Sequence, residues 1–338
     1  MSLEEFPSIS LHNVAETTPA EWAADGERLC RVPATVIEGL NQRASDRVRH
    51  PTGCEIRFVP ESPDAVVKVT LSAPEPTRVH TFWGPFQPWQ PTDIGPDPTT
   101  LTLSLPERLR DLAASEATGR FAPQVCRLRL ERVPAVALHE VRGDCRPPEP
   151  EELPDCRYLA YGTSITEGAV TSAPHLNYVT HVARTCGIDA LNFGCSGSAY
   201  CEAAMAEYVA SREDWDVATL ALSVNMANGG FSPAEFRERA DVFVNTVAAA
   251  HPDNPVVCVT LFPYFADLTE SGDAAHARAY REALRSVVAD APHANLSLVE
   301  GPALLEGPGL TADLLHPGDA GMAAIGAGLA GHLERVLE

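Results

Sequence analysis

Four short stretches carry residue types that together can split an ester. The first is Tyr161-Gly162-Thr163-Ser164-Ile165-Thr166, which follows the apolar run Tyr158-Leu159-Ala160 and precedes a segment able to form helix. Glycine before the serine lets the chain turn sharply and brings the hydroxyl into the open at a strand's C-terminal end, the edge where open α/β sheets bind ligands. The second is Asn192-Phe193-Gly194-Cys195-Ser196-Gly197, whose small residues can turn a backbone N–H toward Ser164. The third is Ser223-Val224-Asn225, where the asparagine amide can donate to the same point. The fourth is Asp313-Leu314-Leu315-His316, with an acid three residues before its histidine. A serine hydroxyl is a weak nucleophile until a base takes its proton. His316 would take it through Nε2, while Asp313 would hold the other ring nitrogen and stabilise the imidazolium. The N–H groups of Ser164 and Gly197, with the Asn225 amide, would receive the oxyanion formed on attack.

These stretches need elements that deliver them to one place. Short apolar runs at Arg157 to Ala160, Ile188 to Phe193, Val217 to Val224, Val256 to Phe262 and Leu296 to Val299 predict strands. Between them, Tyr178 to Cys186, Ala199 to Ala210, Pro233 to Ala250 and Ala274 to Ala289 predict helices, and a last helix covers about Ala320 to Leu337. Ser232, Pro233 and Glu235 form a capping box at the third helix. This alternation predicts a parallel sheet with helices on both faces. Right-handed crossovers then put every strand C-terminus along one edge.

The first ~150 residues differ: polar–apolar alternation at Cys54 to Val59, Ala65 to Leu71, Thr99 to Leu105 and Val125 to Leu130 predicts an all-β sandwich or jelly roll. Pro106 to Ala114 suits a short helix. The loop Phe82 to Trp89 suits either a stacking platform for a sugar or closure of one end of the sandwich core. Arg142 to Asp155, rich in Pro and Glu, is expected to form neither helix nor strand and to separate a 1–150 accessory domain from a 151–338 catalytic domain.

With Ser164, Gly197, Asn225 and His316 in that order, each near the end of a predicted strand, residues 156 to 338 resemble the SGNH, or GDSL-like, hydrolase superfamily. The resemblance implies a three-layer, flavodoxin-like fold with a five-stranded parallel sheet. It makes Ser164 the nucleophile, Gly197 and Asn225 oxyanion donors, and Asp313 and His316 the Asp-x-x-His block. Gly197, rather than Gly194, matches the second block. Two blocks depart from the usual pattern: Gly-Asp-Ser is Gly162-Thr163-Ser164 here, and Gly-x-Asn is Ser223-Val224-Asn225. The β-rich first half makes the architecture similar to two-domain carbohydrate esterases of the acetylxylan-esterase type, which implies removal of acetyl groups from sugar hydroxyls. That branch sometimes lacks the acid, so main-chain carbonyls are the alternative partner of His316.

Bulk properties narrow the setting. The net charge of −21 disfavours nucleic acid or anionic membrane as a partner. No apolar run is long enough to span a bilayer. The nine cysteines lack metal-ligand spacing and read as reduced, buried thiols, and the acidic N-terminus Met1 to Phe6 lacks a secretory pattern, so a cytoplasmic location is expected. The expectation is a serine esterase that needs no cofactor or metal and acts on a small acylated substrate, most simply an acetylated carbohydrate. Tyr264 or Phe265 either lines its pocket or packs in the core, and Glu167, near the nucleophile, is expected to be a solvated loop acid, the alternative being that it shapes the pocket. A lysophospholipase or thioesterase would use the same serine but needs a long apolar channel. A carbohydrate-binding protein with a vestigial site is a third alternative, and acyl transfer in place of hydrolysis would use the same residues. Oligomeric state is open.

Overall fold

The computed structural model describes residues 6–113 and 120–337. Met1 to Glu5, read above for a leader, and Ala114, at the end of an expected helix, lie outside them. The chain divides into two compact units, Met1–Pro33 with Val48–Asp155, and Ala34–Arg47 with Cys156–Glu338. Ala34–Arg47 thus lies inside the stretch expected for the β domain but clusters with the C-terminal unit.

Among the described residues, the first unit contains two antiparallel sheets. One runs β1 (Ser10–His12), β4 (Glu55–Pro60), β9 (Cys126–Leu130), β6 (Thr77–Trp83), β7 (Thr92–Ile94), with β11 (Cys145–Arg146) also on β4. The other runs β2 (Glu16–Pro19), β3 (Glu27–Cys30), β10 (Ala137–Arg142), β5 (Val67–Ser72), β8 (Thr99–Leu103). Alternate side chains of both sheets share one core, including Ile56, Phe58 and Leu128 from the first and Val67, Val69 and Leu138 from the second. A short helix, α3 (Glu107–Arg110), follows β8.

The boundary corrects one expectation. Cys145–Arg146 pairs with β4, and Pro150–Glu152 forms a 3₁₀ turn whose Glu152 carboxylate takes two 2.8 Å bonds from Arg146. Proline there suits the first turn, where its missing N–H costs nothing. The aromatic loop divides: Phe82 and Trp83 are buried at the end of β6, whereas Phe86 is partly exposed and Trp89 is 97% exposed.

The second unit contains α1 (Ala34–Ile37) and α2 (Gln42–Arg47), then β12 (Arg157–Gly162), α4 (Ser164–Glu167), α5 (Tyr178–Cys186), β13 (Asp189–Gly194), α6 (Ala203–Ser211), β14 (Val217–Ala221) and α7 (Val224–Asn228). It continues with α8 (Pro233–Ala250), β15 (Val256–Val259), α9 (Phe265–Leu268), α10 (Ala274–Asp290), β16 (Leu296–Val299), α11 (Gly301–Leu304) and α12 (Asp319–Leu337). All pairings in the sheet are parallel and its order is β13-β12-β14-β15-β16. The chain therefore reverses its direction of growth between β12 and β14, the switch point at which such sheets open a crevice. The inner strands β14 and β15 are buried throughout, as a sheet covered on both faces demands. Helices α5 and α12 pack together, and α6, α8 and α10 form a second group.

The third and fourth strands end earlier than their apolar runs. β14 stops at Ala221 because Ser223 turns the chain into α7, and β15 stops at Val259. Among the described residues, no helix is long and apolar enough to cross a membrane. All nine cysteines are free, and burial pushes the Cys258 thiol up to about 12.

Asn177 starts α5. Its Oδ1 accepts from the Thr180 N–H at 2.8 Å and its Nδ2 donates to the Pro174 carbonyl at 2.8 Å. Replacing a capping side chain costs about 1 kcal/mol, up to about 2. Asn177→Ala should lower the urea midpoint accordingly with an unchanged slope; an unchanged midpoint would deny the cap its role.

Candidate active site

Strand register sets the floor of the site. Gly162 stands level with Gly194 on one side and Ala221 on the other, so three loops leave the sheet at one height. The first enters α4, whose first residue is Ser164. A side chain at Gly162 would put its Cβ 2.1 Å from Thr166 Oγ1 and 2.9 Å from the Ala221 carbonyl, so only glycine fits. Asn192 ties α4 to the neighbouring strand, donating from Nδ2 to the Thr166 carbonyl and accepting at Oδ1 from the Gly194 N–H, both at 2.8 Å. The Gly194 donor is thereby occupied. Gly197, at φ +67, turns the second loop, and among the described residues its N–H has no acceptor. This physical difference separates the two glycines considered as oxyanion donors.

The third loop presents Asn225 from the first turn of α7. The Ala199 N–H donates to its Oδ1 at 3.1 Å, which fixes the amide's orientation and leaves its NH₂ to face elsewhere. Ser223, just ahead, adopts φ 109 and ψ −59. This conformation belongs to glycine. It explains why glycine is usual there in the Gly-x-Asn block. Ser223 is fully buried and, among the described residues, its hydroxyl has no hydrogen-bond partner.

His316 arrives on a closed loop. The Thr311 N–H bonds the His316 carbonyl at 2.8 Å and the Gly318 N–H bonds the Gly309 carbonyl at 3.0 Å. Asp313 organises its interior: Oδ1 accepts from the Thr311 hydroxyl at 2.8 Å, the Leu315 N–H at 2.9 Å and the His316 N–H at 3.0 Å. Its Oδ2 lies 2.6 Å from His316 Nδ1. With Nδ1 donating to this carboxylate, Nε2 is left as the acceptor, and it sits 2.9 Å from Ser164 Oγ. Burial alone would raise the Asp313 carboxyl. The bonds from the His316 ring and backbone, Leu315 and Thr311 outweigh it and hold the group well below the usual carboxylate range.

Serine, histidine and aspartate therefore form one hydrogen-bonded line, while Gly197 and Asn225 lie on loops that leave the adjoining strand ends. Tyr264 is buried, and Phe265 is partly exposed, packed edge-on against Tyr264 with centroids 4.8 Å apart. Among the described residues, neither ring stacks on His316 and neither residue hydrogen-bonds to Ser164 or His316. Glu167 differs from expectation: it is buried at the end of α4 rather than solvated, because α4 lies against β13.

One contributor escaped the sequence reading. Asn41, ahead of α2, accepts the Ala44 N–H at Oδ1 and donates from Nδ2 to the Ser198 carbonyl at 2.9 Å and to Glu202. It latches α2 to the loop bearing Gly197. The only local signal is an N-cap asparagine before a short helix, which says nothing about a loop more than 150 residues away.

Residues 160–324 match the model of the GDSL-like Lipase/Acylhydrolase family. A salicylyl-acyltransferase from a tetracycline biosynthetic pathway is structurally similar (TM-score 0.75, 16% identity, covering 98% of this chain and 95% of that one). So is a family two carbohydrate esterase from Clostridium thermocellum in complex with cellohexaose (TM-score 0.64, 16% identity, 97% and 99%). A third is a family two carbohydrate esterase from Cellvibrio japonicus (TM-score 0.65, 13% identity, 98% and 96%). No curated protein sequence matches. At these identities the likeness to solved structures is one of fold.

Two consequences can be measured. A strained φ of this kind costs of order 1–3 kcal/mol; Ser223→Gly should therefore raise the melting temperature, and a fall would show that the hydroxyl or Cβ contributes more than the strain removes. The charged Asp313 has a depressed folded pKa, so its stabilisation is complete above the unfolded carboxyl value of about 4 and is lost as pH falls toward the folded one. Wild type should be modestly more stable than Asp313→Asn near neutrality, given the half-exposed carboxylate. The gap should close below about pH 4; a pH-independent gap in urea midpoints would contradict this.

Proposed function

We propose, from a chain whose residues 160–324 are a domain of the GDSL-like lipase/acylhydrolase family, that this carboxylic ester hydrolase uses Ser164 as nucleophile to remove a small acyl group, acetyl in the simplest case, from a sugar hydroxyl. The observation that carries the mechanism is the line Ser164 Oγ, His316 Nε2, His316 Nδ1, Asp313 Oδ2, with spacings of 2.9 and 2.6 Å across its two hydrogen bonds. Ser164 attacks the ester carbonyl as His316 Nε2 takes its proton. Asp313 holds the ring in the tautomer that leaves Nε2 free and stabilises the imidazolium. The Ser164 and Gly197 N–H groups and the Asn225 amide receive the charge on the carbonyl oxygen; one such donor is worth roughly 2.7–4 kcal/mol in the transition state. Collapse returns the proton to the departing alcohol. Water then repeats the sequence on the acyl-enzyme, releasing the acid and restoring Ser164.

The sugar acceptor is supported at the level of architecture. The chain resembles two family two carbohydrate esterases over nearly its whole length, one of them in complex with cellohexaose, so its antiparallel β unit and its parallel-sheet unit both fall within the likeness. Acetyl is favoured because a protein described as an acetyl xylan esterase is among the similar structures.

Ser164→Ala should abolish hydrolysis of p-nitrophenyl acetate while leaving the melting temperature near that of wild type. Full activity in the variant would refute the mechanism. Across a chain-length series of nitrophenyl esters, kcat/KM should be greatest for acetate; a maximum at eight carbons or more would replace the acetyl reading with a lipid one.

A further inference from the structure

We propose that Arg43 is a specificity residue that binds an anionic group on the ester substrate; this rests on the esterase reading above. Arg43 belongs to α2, which Asn41 anchors to the Ser198 carbonyl and to Glu202. A Cβ built on Gly197 would lie 2.9 Å from Arg43 Cζ and 3.2 Å from its Nε and Nη1. The guanidinium therefore lies over the Cα of the residue whose N–H is assigned to the oxyanion. Gly197 has a second neighbour in Tyr200, whose hydroxyl donates to its carbonyl at 3.4 Å. A substrate held at Ser164 with its carbonyl oxygen directed to Gly197 would bring part of its own skeleton beside Arg43.

Charge and position together set Arg43 apart: Arg278 of the same unit is also exposed and, among the described residues, has no ion pair or hydrogen bond, but it lies on α10 and not over Gly197. Within the same unit Arg157, Arg212, Arg237, Arg281 and Arg285 each pair with a carboxylate. Arg43 is exposed and, among the described residues, has no ion pair, hydrogen bond or aromatic partner. The nearby Glu202 carboxylate is engaged by the Asn41 amide and the Tyr200 N–H. In a chain with 46 acidic and 25 basic residues, an arginine held beside the reacting centre without a protein counter-ion is positioned for one brought by the ligand. Its planar fork matches a carboxylate, sulfate or phosphate with two parallel hydrogen bonds, which a lysine ammonium cannot reproduce. Its local field also opposes the repulsion that the acidic chain exerts on an approaching anion. The substrate class is an acyl ester carrying one such anion on its acyl or its alcohol part.

Matched esters test this in the full-length protein. The acyl arm compares the p-nitrophenyl hemiester of glutaric acid with p-nitrophenyl valerate. The alcohol arm compares para-acetoxybenzoate with its methyl ester. In at least one arm, Arg43→Gln should lower the anionic-to-neutral ratio of kcat/KM by about tenfold or more. Arg43→Lys should restore part of the ratio, and added salt should shrink it in wild type. The arm that responds identifies which part of the substrate bears the anion. Equal loss on anionic and neutral esters, as from a disturbed Gly197 turn, or an unchanged ratio in both arms, overturns the inference. Neutral-ester hydrolysis that vanishes in Ser164→Ala upholds the parent reading in either case; wild type that cleaves no ester overturns both.

Discussion

The site depends on the in-register parallel pairing that sets Gly162, Gly194 and Ala221 at one level. A one-residue slip in either pairing would move its loop by the rise of one residue, about 3.3 Å, which exceeds the tolerance of a hydrogen bond. Buried strands resist such a slip, because it would also exchange the faces on which their side chains lie. Register is further pinned from above: Asn192 bridges the Thr166 carbonyl and the Gly194 N–H, and the contact surface at Gly162 leaves no room for a side chain. The floor of the site is thus part of the core, and the reactive groups inherit its rigidity.

Polar groups around this floor are assigned singly. Asn192 occupies the Gly194 N–H, whereas the Gly197 N–H has no acceptor among the described residues. Ala199 fixes which end of the Asn225 amide faces away. Asp313 uses one oxygen to order its loop and the other to hold His316. In each case a backbone group selects the direction of a side chain, so little conformational freedom remains to be lost when substrate binds. Ser223 is the point at which this order is strained, since a buried, non-glycine residue with φ 109 directs the chain into the turn that carries Asn225.

Segment Ala34–Arg47 shows how the loop bearing Gly197 is braced from far away in sequence. It belongs to the C-terminal unit by its contacts, although strands of the first unit precede and follow it along the chain. Its helices α1 and α2 are each too short to be stable alone. The bonds from Asn41 to Ser198 and Glu202 provide the tertiary support they lack.

Much of the site was legible because its signals are local. Asp313 and His316 are three residues apart, so one tight loop can join them, and apolar runs ahead of Ser164, Gly197 and Asn225 mark the strands whose ends they follow. The regular helices Tyr178–Cys186 and Pro233–Ala250 match the elements read from periodicity and capping residues. Strand ends were less legible, since hydrophobicity continues past the last ladder bond into buried loops, as at Leu222 and Leu261. By itself, then, the sequence determined the residue types, their order and the alternation of elements that puts them on one edge. Only the tertiary structure decided that Ser164 meets His316 across 152 positions, that Glu167 is buried, and that Arg43 lies over Gly197. These depend on packing between distant segments, and a chain's local pattern encodes which face is apolar but not which partner will cover it.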